Sequence, residues 1–222
     1  YYSKATDRDI LFQRIPYKAK LSPEMQIRLI YYPDVFKAIN RSELDSEVAI
    51  YMEDLLLPIH ARNYSGKEYN NMMTNIRKCI ELIFTSMAEK GLLPNKKNNG
   101  KYVFHDILVD NKGGINTTWC SLILSGKEVK VGDKIRIEST NILPNVLKEI
   151  SAAYEHTVNK NANEQQQKNS RQTPEFLESL GNPPYLLQSM TLELCNIILW
   201  YANYLEEHDD EELNALNWNI IQ

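Results

Sequence analysis

The sequence predicts a mostly α-helical chain: a bundle of about four long helices with a small antiparallel β-hairpin insert. Three observations predict it. Residues 65–91 hold a helix start, an apolar stripe and a helix stop in one stretch. Residues 185–207 carry a second long stripe. Between them, residues 101–140 change to short alternating runs separated by turn residues.

In chain order, residues 1–21 are a lead-in, with a short helix expected over 7–13 and Pro16 breaking anything longer. Ser22 and Pro23 have the character of an N-cap and first helical residue, with Ile27, Ile30 and Tyr31 as the apolar side. Pro33 is expected to interrupt that helix, leaving a short turn over 34–39. Ser42 is expected to start the next helix, with Asp45 at the third position as an imperfect capping box. Pro58 is expected to end or kink it. Ser65 caps the central helix, and Glu68 can reach back to it. Tyr69, Met72, Met73, Ile76, Ile80, Ile83 and Met87 follow mostly three and four apart, which lays them on one face. Cys79 and Phe84 flank that face. Gly91 can adopt the left-handed conformation that ends a helix, and Pro94 lies just beyond.

Residues 95–100 are polar and turn-like. One strand is expected over 102–109, with a bulge near His105 and Asp106. The Asp-Asn-Lys-Gly-Gly turn at 110–114 leads to a returning strand over 115–124. Strands at 129–131 and 135–137 complete the insert. A helix is expected over 141–158, then a polar surface loop at 159–171 and one or two helical turns at 173–180. The last long helix covers 185–207, and residues 213–221 cover an edge of the core. Residues 1–64 form an N-terminal helical segment and 65–222 the helical core with its insert, the two making one domain.

Composition excludes several classes. The net charge is −4 over 222 residues, without the basic balance of a dedicated nucleic-acid binder, though it leaves room for a local basic patch. The longest apolar candidate, 192–199, is broken by Glu193 and Asn196, far short of the ~20 residues of a membrane span. Cys79, Cys120 and Cys195 are expected as buried reduced thiols, two in helices and one in a strand, which suits a cytoplasmic location. His60, His105, His156 and His208 form no zinc-ligand spacing, so neither metal nor cofactor is expected. Gly113-Gly114 lacks the Lys-Ser/Thr of a phosphate loop. The carboxylates at 209–212 are neighbours in sequence and point in different directions, so they read as a solvated run.

Arg77 and Glu81 stand four apart on the central helix, where an exposed pair is worth only a few tenths of a kcal/mol, ~0.2–0.5. Facing a neighbouring helix, the same pair would order a site or bind a partner. The central helix thus carries Asn75-x-Arg77-x-x-x-Glu81, followed by Gly91-Leu92-Leu93-Pro94. A later segment, 151–156, ends in His156, and a long apolar helix follows. This order resembles the HEPN-type helical bundles, which include domains accompanying bacterial nucleotidyltransferases, toxin systems and anti-phage systems. The resemblance covers 65–94 and 141–207 and leaves out the β insert. The family's ribonucleases use an Arg and a His four to six residues apart. Here Glu149, Ile150 and Ser151 stand before His156, and no other histidine has an Arg at that distance. The resemblance therefore implies the fold without the nuclease activity.

Three functions follow as expectations. The first is a non-catalytic helical interaction module, homodimeric or bound to a protein partner, in a bacterial regulatory or defence system. The alternative is an RNA-binding protein or ribonuclease of the same fold, gathering Arg77, Glu81 and His156 in one cleft. The third is a nucleic-acid-binding regulator using the insert. Its basic residues would be Lys127, Lys130, Lys134 and Arg136, with Tyr102, Phe104 and Trp119 as stacking groups. Alternating charged and apolar residues are also what any half-buried hairpin shows.

Overall fold

Ser22 and Pro23 start the first described helix as their chemistry predicts. The computed structural model describes residues 21–62, 66–109, 113–124, 129–131, 135–139, 185–209 and 218–221. Ser22 Oγ accepts the Met25 backbone N–H at 3.3 Å, and Pro23 opens α1 (Pro23–Gln26), where its missing N–H is no loss. The helix runs on as a π-helical segment, Ile27–Tyr31, closed by the Tyr32 N–H on the Ile27 carbonyl at 3.0 Å. Pro33 then begins α2 (Pro33–Arg41) instead of breaking structure. The expected short turn over 34–39 is this nine-residue helix. Its apolar side, Val35, Phe36, Ala38 and Ile39, is buried. Asp34 in its first turn and Arg41 in its last suit the helix dipole.

Ser42 closes α2 rather than starting the next helix. Its hydroxyl donates to the Ala38 carbonyl at 2.7 Å. Helix α3 (Ser46–Ala61) is capped by Asp45, whose carboxylate accepts the Glu47 N–H at 2.8 Å. A charged cap matches the positive helix end better than a hydroxyl does. Pro58 sits in the last turn of α3, and the helix runs past it to Ala61 before Arg62 turns left-handed at φ 51°.

The central helix, α4 (Gly66–Glu89), is 24 residues long. Met72, Ile76, Cys79, Ile80, Ile83, Phe84 and Met87 are all buried. Its expected cap, Ser65, lies outside the described residues. The C-terminus closes in a Schellman motif. The Leu92 N–H reaches the Met87 carbonyl at 2.8 Å and the Gly91 N–H the Ala88 carbonyl at 3.1 Å. Gly91 supplies the φ of 87° this needs, and Leu92 is buried as the motif's apolar contact.

The insert differs most from expectation. Residues 95–98, expected as turn, form β1 (Asn95–Asn98), paired antiparallel with β2 (Lys101–Phe104). Asn99 (φ 48°) and Gly100 (φ 83°) make the two-residue connection. Two successive positive φ values are what a type I′ hairpin turn requires. The expected continuation over 107–109 is instead a 3₁₀ turn, Asp106–Leu108, with the His105 side chain accepting the Ile107 N–H at 3.4 Å. The expected returning strand over 115–124 is a helix, α5 (Thr117–Leu124). Asn116 explains the change: its side chain accepts the Trp119 N–H at 3.1 Å and caps the turn. A single bridge, Val109 to Ile115, marks the chain reversal. Cys120 therefore lies in a helix.

Strands β3 (Val129–Val131) and β4 (Ile135–Ser139) pair as expected, with Lys130 opposite Arg136. Residues 218–221, expected to cover the core, add to β4 as β5 (Trp218–Ile221). The last long helix, α6 (Tyr185–Glu207), has the predicted bounds. The expected elements at 7–13, 141–158 and 173–180 and the loop at 159–171 lie outside the described residues. Among the described residues three helices are long: α3, α4 and α6.

Helix α4 packs against α3, α5, α6 and β2, and α6 also packs on α2. Leu187, Met190, Leu194, Ile198 and Tyr201 give α6 a buried stripe across this centre. Each buried Leu, Ile or Met among them contributes about 1.5–3 kcal/mol of burial. Polar ties then set how the helices seat. Arg41 spans α2 to α6, reaching Glu206 at 2.9 Å and Asn203 at 3.1 Å. Ser86 Oγ and the Tyr201 hydroxyl meet at 2.9 Å between α4 and α6.

Candidate functional site

Arg77 and Glu81 pair as their spacing predicts, with Nε to Oε1 at 2.8 Å. The two side chains are 46% and 29% exposed, so the pair lies along the wet side of α4. His156, the third member of the expected polar site, lies outside the described residues. Other contacts join α3 to α4. Asn75 donates to Asp54 at 3.4 Å, and Lys78 lies 5.1 Å over the Tyr51 ring. Tyr51 in turn donates to Glu47 at 2.6 Å, and that bond holds its phenol above the usual range. Burial, helped by Glu53, raises Asp54 above the usual carboxylate range, and the Asn75 bond partly opposes this.

The basic set of the insert is divided. Lys130 and Arg136 face each other in register on β3 and β4, while Lys127 and Lys134 lie outside the described residues. Trp119 stands on α5, half-buried against the core, rather than on a strand beside them. Phe104 is buried at 8% exposure, whereas Tyr102 is 41% exposed. Of the three expected stacking groups, Tyr102 alone presents an open ring.

The described histidines are each engaged locally. His60 meets the Tyr31 ring with centroids 3.7 Å apart. His208 stacks on Tyr204 at 4.1 Å, and its Nδ1 lies 2.9 Å from the Tyr204 carbonyl. His105 caps the 3₁₀ turn. Cys79, Cys120 and Cys195 are free and buried. Burial pushes all three thiols up, Cys195 to about 12. A protonated, enclosed thiol is a poor nucleophile. Among the described residues no group of three or more His, Cys, Asp or Glu could hold a metal ion. No described helix is long and apolar enough to cross a membrane.

One surface that spacing alone does not reveal is the seam between α1 and α3. Arg28 grips Glu53 with two bonds, Nε to Oε1 and a terminal nitrogen to Oε2, each 2.6 Å. The guanidinium also lies 5.3 Å over the Phe36 ring. Glu53 is only 14% exposed, so the pair is partly dry and the planar fork fits it. Tyr31 and His60 make a second rung further along the same seam. The two helices therefore run the same way past each other. Met25 stands one turn before Arg28, and Ile50 one turn before Glu53. They are 47% and 51% exposed, and Leu29 beside them is 44% exposed. Partners 25 residues apart in sequence give no local signal, which is why sequence reading passes over this site.

No family model, curated protein or solved structure matches this chain.

Proposed function

We propose that the chain is a non-catalytic helical interaction module that pairs with a second copy of itself. The observation that carries this reading is the exposed apolar set Met25, Leu29 and Ile50 beside the Arg28–Glu53 clamp. Three large apolar side chains, each about half exposed on two helices locked together, form a ready contact face. Glu24 and Glu47 stand near these residues in the sequence, and Arg28 and Glu53 form the clamp itself. A two-fold contact places each patch on itself, and with Arg28 and Glu53 already neutralising each other the apolar side chains carry the contact. The resemblance to HEPN-type bundles supports placing such a module in a bacterial regulatory or defence system.

Light scattering on the eluting protein tests the reading. A mass of twice 25.8 kDa is expected, and Leu29→Glu with Ile50→Glu is expected to return the monomer. A monomer for the unaltered chain, or a dimer indifferent to the double change, would sink it.

A further inference from the structure

The β1–β2 hairpin goes beyond that reading. Residues 97–102 are exposed without a break through the turn. A Cβ at Gly100 would meet nothing within 4 Å, so the turn projects into open space. Its base is anchored: Phe104 is buried, Asn95 donates to the Ala88 carbonyl at 2.6 Å, and β2 packs on α4. Residues 90–105 hold four lysines and no Asp or Glu, in a chain whose net charge is −4. Lys96 is paired with Asp106, and Lys90 lies 4.0 Å from Glu43. Among the described residues no carboxylate pairs with Lys97 or Lys101.

Pleating sorts these groups. Lys97 and Tyr102 are opposite in register and share one side of the ribbon. Lys101 falls on the other side, opposite Asn98. The Lys97 ammonium lies 5.8 Å from the Tyr102 ring centroid. The tip therefore offers two cations that no described carboxylate neutralises, one on each side, with the exposed Tyr102 ring on the Lys97 side.

We propose that this hairpin binds single-stranded nucleic acid. Lys97 and Lys101 pair with backbone phosphates, and a base stacks on the open face of Tyr102. Unstacked bases have a use for an exposed ring, whereas a duplex keeps its base faces covered. Phosphates account for the cations.

Fluorescence anisotropy with a labelled single-stranded RNA and a matching duplex, in about 50 and about 200 mM salt, tests it. The intact chain is expected to bind the single strand more tightly. Lys97→Gln with Lys101→Gln is expected to flatten the salt slope by about 1.4, two phosphates at ~0.7 each. Tyr102→Ala is expected to weaken single-strand binding about fivefold or more, and Tyr102→Phe to retain it. Lys37→Gln with Lys78→Gln, which makes the same charge change elsewhere, is expected to leave the slope alone. Three results would each overturn the proposal: no binding to the single strand at the lower salt, an equal loss in the control pair, or a duplex preference unaffected by Tyr102→Ala.

Discussion

The Ser86–Tyr201 contact allows a quantitative test of how α4 and α6 are held. Tyr201 is fully buried on α6, and its hydroxyl lies 2.9 Å from Ser86 Oγ on α4. Ser86→Ala strands the Tyr201 hydroxyl away from water. An unsatisfied buried hydroxyl costs about 1–3 kcal/mol, and the enclosure of Tyr201 puts the expected loss near ~2. Tyr201→Phe strands the Ser86 hydroxyl instead. That group sits in a helix and can turn to the carbonyl of Leu82, one turn back, so the expected loss is about 1 kcal/mol. Removing both leaves apolar surfaces of nearly the same shape, and the double variant is expected to lose only ~1 kcal/mol. The coupling is then about 2 kcal/mol. Urea unfolding followed by circular dichroism measures all four proteins. Losses that simply add, to within about 0.4 kcal/mol, would refute the reasoning. The same site predicts an alkaline effect. Burial pushes the Tyr201 phenol up, with Glu89 adding to it and Ser86 opposing. A phenol kept neutral in the fold contributes fully below its unfolded pKa, about 10, and that contribution is lost as pH rises from there. Tyr201→Phe is expected to lose less stability than the intact chain above that pH.

Other changes have equally definite outcomes. Thr191 Oγ1 is buried with no hydrogen-bond partner among the described residues, so Thr191→Val is expected to stabilise by about 1 kcal/mol, and a lower urea midpoint would contradict this. The three buried thiols are expected to resist a thiol reagent in native buffer at pH 8 and to react together on unfolding; prompt labelling of any one would contradict their enclosure. Their raised pKa values also predict stability that is complete below about pH 8.5, the unfolded thiol value, and falls as pH rises beyond it; a flat urea midpoint from pH 8 to 10 would count against this. Gly100→Ala forces a φ of 83° on a residue with a Cβ, and about 1–2 kcal/mol of local strain is expected to appear as faster amide exchange in the β1–β2 hairpin; unchanged exchange there would refute it.

What the sequence discloses depends on how far apart the determining residues stand. The central helix is legible because its stripe and its Gly91 stop agree within one window, and α6 because its stripe is long. Helix α5 is not, since eight residues with apolar side chains at 119, 120 and 122–124 are too short to show a period that distinguishes strand from helix. Its Asn116 cap is the signal that was there to find. Strand β1 hides for the opposite reason: Asn-Lys-Lys-Asn has poor strand propensity, and the Asn99-Gly100 turn holds it in place. Strand β5 depends on β4, some eighty positions earlier in the chain, and no local pattern announces it. Function follows the same rule. Clustering in sequence picks out Lys127, Lys130, Lys134 and Arg136, but it cannot say which cations are neutralised. Lys96 and Lys97 are adjacent and equivalent by composition, yet the pleat turns Lys96 towards Asp106 and leaves Lys97 beside an open ring. Arg28 and Glu53 look unremarkable until α1 and α3 bring them together. A charge becomes available for binding only when the fold gives it no carboxylate, and that is a property of pairing in space.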